Sequence, residues 1–384
     1  MKCILLALAS LPVTNLFAVP SISSVTAQQR YPWNGKVDIS YKVSGDVAAH
    51  CMEYGIIPSL KVTATDKIAN KTYTATKLNG DMSLTEGTHQ LVWDMDAQGL
   101  LIQSGRVVFN VLCETVEATY CVIDLSGGET APNYPVAHLE TEPSGGFNIN
   151  AYKTSKLVLK RIKAGSFIMG TSQTDQSHKV TLTKPFYMGL FEVTQKQWTL
   201  VMGANPARTC GVGDEYPIYY VSYNMIRGGS KGMAWPSSST VDTMSFVGKI
   251  QAKTGLKFDL STAAQWEYAC RAGTTTKYSY GDMADGAYMW YFENASSTKP
   301  VGSRKPNAWG LYDMHGNVWE WNLDWSGELE YGTDPKGTFT GSNRVNSGGC
   351  WCNGASDCAS SKREGNAPSF AGYDLGFRLA RTLP

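Results

Sequence analysis

An all-β sandwich followed by an α+β domain of sparse regular structure is what this 384-residue sequence predicts. Three observations carry the prediction. Between about residues 22 and 115, short runs alternate apolar and polar residues, the period of half-buried strands. Beyond about residue 156, apolar positions recur at helical spacing behind Thr N-caps. Beyond residue 273 the chain is mostly loops and short strands rich in Gly and Trp. Lys+Arg number 34 and Asp+Glu 33. That near-balance excludes a polybasic nucleic-acid binder and an acidic solvating protein.

Taken in order, residues 1–18 read as a signal peptide. Lys2 precedes a short apolar run, and Asn15-Leu16-Phe17-Ala18 offers a cleavage point. The run is too short to span a bilayer as a helix, and no later segment is long enough. The expected location is therefore secreted, periplasmic or cell-surface. Cys3 would leave with the leader, and Cys51, Cys113, Cys121, Cys210, Cys270, Cys350, Cys352 and Cys358 remain. An even number of cysteines in an exported chain favours disulfides. Residues 19–115 form the sandwich module. Its strands are read at 37–43, 60–64, 73–76, 91–93 and 107–112, with turns at Asn34-Gly35, Asn79-Gly80 and Glu86-Gly87. Short strands at near-regular spacing suggest an immunoglobulin-like sandwich. No His, Asp or Glu cluster marks a site there, so it reads as an adhesive or spacing module. Residues 116–155, rich in Gly, Pro, Ser and Thr, read as a linker with one strand near Tyr120.

The last domain spans 156–384. Residues 157–170 hold strand-like runs. A first helix is capped by Thr194 and stopped by Gly203, and a second pattern runs over 241–254 to a stop at Gly255. A third spans 262–271, with Thr262 and Gln265 as a capping box.

Several segments of this domain together resemble one family. They include Phe191-Glu192-Val193-Thr194-Gln195 and Ser261-Thr262-Ala263-Ala264-Gln265-Trp266-Glu267-Tyr268. The longest is Gly310-Leu311-Tyr312-Asp313-Met314-His315-Gly316-Asn317-Val318-Trp319-Glu320-Trp321, and the last is Leu375-Gly376-Phe377-Arg378-Leu379. Order and spacing are similar to the formylglycine-generating enzyme, or sulfatase-modifying factor, family. The resemblance implies an irregular α+β fold of the C-type-lectin-like kind. It also implies, for active members, oxidation of a cysteine in a Cys-x-Pro-x-Arg sulfatase peptide to formylglycine. That reaction uses molecular oxygen and copper(I) held by two cysteines five residues apart; soft thiolates suit copper(I).

The matching positions after Gly348-Gly349 are Asn353 and Cys358, and the serine that follows the family's glycine pair is Cys350. An asparagine supplies no thiolate. Two readings follow. In the first, the protein is a binding member for a protein or glycan ligand, with a recognition surface that includes Trp351, Asn353, Ser356, Asp357 and Trp319. In the second, it is an oxidase in which Cys352 or Cys350 joins Cys358. A Cys352–Cys358 disulfide beside a third buried thiol is the structural alternative. The resemblance further implies a calcium site built from the Asp313 and Glu320 side chains and the Gly316 and Val318 carbonyls, all hard oxygen donors. The asparagine of a second family calcium site matches Tyr288, so that site is lost. Arg378 is expected to hold the fold through a buried ion pair.

Overall fold

The computed structural model describes residues 3–4, 21–30, 34–102, 106–170, 178–328 and 331–384. The proposed signal peptide lies almost wholly outside the described residues. Two compact units result, Met1–Ala118 and Thr119–Pro384.

The first unit is built from two antiparallel sheets. One pairs Ser21–Gln29, Lys36–Ser44, Gly87–Asp94 and Leu78–Gly80 in that order, with Cys3–Ile4 at its edge. The other pairs Lys71–Thr74, Ile56–Asp66 and Val107–Glu117. The alternation at 37–43 does what its period requires: Val37, Ile39, Tyr41 and Val43 turn inward. They pack with Val62, Ala64, Trp93 and Val111 in one apolar cluster. The all-β expectation needs one amendment, the helix Val47–Tyr54. Asp46 caps it by accepting from the Ala49 N–H at 2.9 Å, and Gly55 ends it in the left-handed region.

The second unit begins earlier than expected. The strand expected near Tyr120 is present as Tyr120–Asp124, but it is an inner strand of a five-stranded antiparallel sheet and does not stand alone in a linker. The order is Val136–Leu139, Tyr120–Asp124, Lys156–Ile162, Phe186–Gly189 and Ala380–Thr382. The reason is tertiary. Tyr120, Cys121, Val122 and Ile123 are all buried, and their backbone groups pair with residues 157–160 on one side and 136–139 on the other. The helix Asn150–Thr154 also falls within the expected linker.

The capping residues place two of the three predicted helices correctly. Gln195–Met202 starts at Thr194 and Ala263–Arg271 at Thr262, each with a complete capping box. The pattern over 241–254 yields a shorter helix, Phe246–Thr254, because Ser245 takes the N-cap. A second sheet orders Arg363–Asn366, Arg344–Ser347, Trp319–Trp325 and Leu375–Gly376. Its inner strand Trp319–Trp325 is buried at every residue but the last.

A fragment covering 119–384 should unfold cooperatively in urea, whereas one starting at 156 should not, having lost an inner strand. Circular dichroism of the two fragments tests this. Equal cooperativity would return Tyr120–Asp124 to the role of a linker.

Candidate functional site

The strand Trp319–Trp325 carries the centre of the site. Glu320 is wholly buried, and its Oε1 and Oε2 accept from Arg378 at 2.5 and 2.7 Å. Oε2 also accepts from the Trp266 indole N–H at 2.6 Å. Arg378 spends its remaining donors on the carbonyls of Gly189 and Tyr312, at 2.9 and 3.0 Å. The buried ion pair expected of Arg378 is thus present, and Glu320 is its partner.

Two more carboxylates lie near this pair. Glu192 accepts from the Asn317 amide at 2.6 Å and the Val318 N–H at 3.1 Å. Asp313 accepts from the Gly302 N–H at 2.7 Å. Burial, with repulsion from Asp313 and Glu320, holds Glu192 well above the usual carboxylate range. Burial likewise pushes Asp313 up to about 6. Gly316 makes the loop between Asp313 and Glu320 possible. Its φ is +89°, and a Cβ there would lie 2.0 Å from the Trp290 carbonyl. Of the four expected calcium-binding positions, Asp313, Gly316, Val318 and Glu320 share this buried region. The Glu320 carboxylate, however, is committed to Arg378 and Trp266.

The second cluster follows the glycine pair. Gly349 has φ +74°, and a Cβ would meet the Cys358 sulfur at 2.7 Å, so the chain passes directly over that thiol. A turn then forms in which the Asn353 N–H donates to the Cys350 carbonyl at 3.1 Å. The Asn353 side chain stitches the same turn, its Oδ1 accepting from the Cys350 N–H at 3.2 Å and lying 2.9 Å from the Cys350 sulfur. This folds Cys352 back until the two sulfurs are 2.8 Å apart. Asp374 Oδ2 lies 3.8 Å from the Cys350 sulfur. One ligand atom from each of Cys350, Cys352 and Asp374 fits within 4.8 Å of the others.

The two thiols differ in setting. Cys350 is fully buried and Cys352 half-buried. The hydrogen bond from Cys350 holds the Cys352 thiol below its ordinary range, while the same contact and burial push Cys350 up. Cys358 is elsewhere. It packs with Tyr278 and Met289, its sulfur 3.9 Å from the Cys350 carbonyl, and burial pushes its thiol far up. His315 braces that segment, with Nδ1 donating to the Cys358 carbonyl at 2.8 Å and Nε2 accepting from the Ser279 N–H at 3.1 Å. The expected Cys352–Cys358 pairing is therefore corrected: Cys352 faces Cys350, and the cysteines from Cys51 to Cys358 are free thiols.

The residues expected to form a recognition surface differ in exposure. Trp351, Asn353 and Asp357 are half-buried and Ser356 is exposed. Trp319 is not on the surface: its side chain is buried, at 7% exposure. Sequence reasoning passed over Glu192, Tyr373 and Asp374. Glu192 stands inside a quoted motif, and Asp374 directly precedes the closing Leu375-Gly376-Phe377-Arg378. Their positions beside motifs were the available signal.

Comparison with known proteins now bears on this geometry. A family model for the sulfatase-modifying factor enzyme 1-like domain matches residues 148–383. The chain belongs to the sulfatase-modifying factor family. It is 29% identical over 269 residues to the chaperone protein LppX of Paenibacillus barcinonensis, covering 61% of this chain and 91% of that protein. It is 36% identical over 143 residues to the formylglycine-generating enzyme of Streptomyces coelicolor. That match covers 32% of this chain and 46% of the enzyme, so the chain spans under half the enzyme's length. Among solved structures, Treponema denticola variable protein 1 superposes with a TM-score of 0.50 at 29% identity, over 60% of this chain and 96% of that one. The sulfatase-modifying factor domain and the second unit thus coincide, apart from the first 29 residues of the unit (119–147).

Breaking the buried pair by Arg378→Met should destabilise the second unit by about 3–5 kcal/mol, since it strands a buried carboxylate. Urea denaturation measures this. A loss under about 1 kcal/mol, the level of an exposed pair, would mean that Arg378 is not structural.

Proposed function

We propose that this sulfatase-modifying factor domain binds a ligand and does not oxidise sulfatase cysteines. One observation carries the reading. Asn353 occupies the first copper position and is tied into its own turn, while Cys358 is packed in the core 3.9 Å from the Cys350 carbonyl. Copper(I) bound by the family's spacing needs two thiolates there, and these residues do not fit it. The oxidase reading would require Cys352 or Cys350 to turn away from the other and reach Cys358.

The recognition surface in this reading centres on the loops after Gly349. Trp351 and Tyr373 have ring centroids 6.0 Å apart, Phe370 and Tyr373 are 45% and 44% exposed, and Ser356 is exposed on the loop that follows Trp351. Asp357 is bridged to Lys362 at 3.2 Å. Aromatic faces interleaved with amide and hydroxyl groups suit a glycan or a protein surface. No helix among the described residues is long and apolar enough to cross a membrane. Export to the periplasm, the cell surface or the medium, with the first unit as an immunoglobulin-like presenting module, completes the proposal.

Calcium belongs to the same reading. Three buried carboxylates, Glu192, Asp313 and Glu320, surround a region where Arg378 pairs directly with only one of them. Asp313 and the carbonyls of Gly316 and Val318 would hold the ion. Glu192 and Glu320 would contribute charge. The ion's role would be to neutralise that charge and fix the loop.

The copper(I)-loaded, reduced protein should leave a Cys-x-Pro-x-Arg peptide unchanged in air, judged by mass spectrometry beside an active formylglycine-generating enzyme. Glycan-array binding should fall at least about tenfold in Trp351→Ala, a typical cost of losing an aromatic anchor. Peptide conversion would overturn the binding reading. Separately, millimolar calcium should raise the melting temperature of the wild type but not of Asp313→Asn. Saturation at 100 times Kd corresponds to about 2.7 kcal/mol. An equal response in both proteins would remove Asp313 from the site.

A further inference from the structure

We propose that Cys350 and Cys352 form a thiol–disulfide exchange couple, in which Cys352 attacks, Cys350 resolves and Asp374 accepts the Cys350 proton. The proposal rests on the arrangement of three side chains and does not depend on the ligand reading above.

The division of labour follows from placement. Attack on an external disulfide needs an accessible sulfur, and Cys352 is half-buried on a turn whereas Cys350 is sealed beneath it. The attacking sulfur needs donors that favour its charged form. The Cys350 S–H supplies one, 2.8 Å away. Resolution needs a second sulfur within reach. A disulfide bond is about 2.05 Å long, so the two sulfurs need close by less than about 1 Å. The turn already holds them there, because Asn353 ties both its own N–H and its side chain to Cys350. The resolving thiol also needs somewhere to send its proton, and Asp374 Oδ2 is 3.8 Å from it. Competing pairings are blocked: Cys358 faces the Cys350 carbonyl from inside the core, and Cys270 is buried against the Met314 carbonyl and His315.

The steps balance with a disulfide R–S–S–R′ as the oxidant. The Cys352 thiolate attacks one sulfur of R–S–S–R′. A Cys352–S–R bond forms, the S–S bond breaks, and R′–S⁻ leaves to take a proton from water. Cys350 passes its proton to Asp374, and its sulfur attacks Cys352. The Cys350–Cys352 bond forms, and R–S⁻ departs with a proton from Asp374 or water. The protein dithiol loses two electrons and the external disulfide gains two. The same steps run in reverse when the external thiol is in excess.

The test equilibrates the full chain with glutathione disulfide and maps its peptides without reduction. The wild type should carry a Cys350–Cys352 disulfide and retain no glutathione on either of these residues. Cys350→Ser should accumulate glutathione on Cys352, and Cys352→Ser should react at least about tenfold more slowly. In Asp374→Asn the mixed disulfide should form at the wild-type rate but resolve about tenfold more slowly, with the deficit shrinking as pH rises. A merely structural aspartate would not split the two steps. Should either serine variant melt early, the wild type alone decides: brief iodoacetamide treatment of the reduced chain should label Cys352 before Cys350. Equal labelling, or a pair that stays reduced in glutathione disulfide, would overturn the proposal. So would one retained equivalent of zinc that shields both thiols, which would make the cluster with Asp374 a metal site.

Discussion

Arg378 leaves the end of the chain as part of Gly376-Phe377-Arg378 and reaches three separate pieces of backbone and side chain at once. Its guanidinium binds Glu320 in the inner strand of one sheet, the Gly189 carbonyl at the end of a strand of the other, and the Tyr312 carbonyl before the central loop. A planar fork of fixed geometry can serve all three only if they are held at fixed distances. The pair therefore sets the spacing of the two sheets, and with it the position of Asp313 and the loop up to Glu320. Desolvating two charges is costly, and the Trp266 indole together with the carbonyls is what satisfies the groups that remain.

Everything proposed to act lies one step away from that anchor. The Asp313 loop runs directly into the strand bearing Glu320. Asp374 is separated from Phe377 by the strand residues Leu375 and Gly376, and its carbonyl accepts from the Trp319 N–H at 2.8 Å. Trp319, in turn, precedes Glu320. The thiol cluster is thus assembled from an irregular turn and one carboxylate, both adjoining the buried strand Trp319–Trp325 and its partners. Loops supported in this way vary in sequence and chemistry without cost to the scaffold. An asparagine in place of a thiolate at residue 353 fits that logic. Its side chain offers no soft ligand, but its Oδ1 makes two contacts to Cys350 that shape the turn and bring two other sulfurs together.

Much of the fold was legible because its signals are local. Thr194 and Thr262 announce their helices through hydroxyls that cap the first turn, a device needing only neighbouring residues. The alternation at 37–43 reports one buried face. The strand near Tyr120 was legible as a strand, but flanking Gly and Pro made its surroundings look like a linker, and its inner place in a sheet was not legible. The helix Val47–Tyr54 was missed because its eight residues barely complete two turns, and its Asp46 cap stands among strand signals. Trp319 illustrates the reverse error: an aromatic residue reads alike as surface or core until it is known what packs on its face of the sheet.

Motif order and spacing alone determined the family, the buried role of Arg378, the absence of a thiolate at 353 and the carboxylates near calcium's expected place. These are properties of residue identity at fixed positions along the chain. Which sulfur faces which was decided by tertiary structure. Cys350, Cys352 and Cys358 lie within nine residues of one another, and their spacing permits any pairing. The turn closed by Asn353 and the close passage of Gly349 over Cys358 leave one. Asp374, more than twenty residues further on, joins them only because Leu375–Gly376 docks in parallel on Trp319–Trp325. Sequence records what each side chain can do; packing and backbone sterics choose the neighbours it does it with.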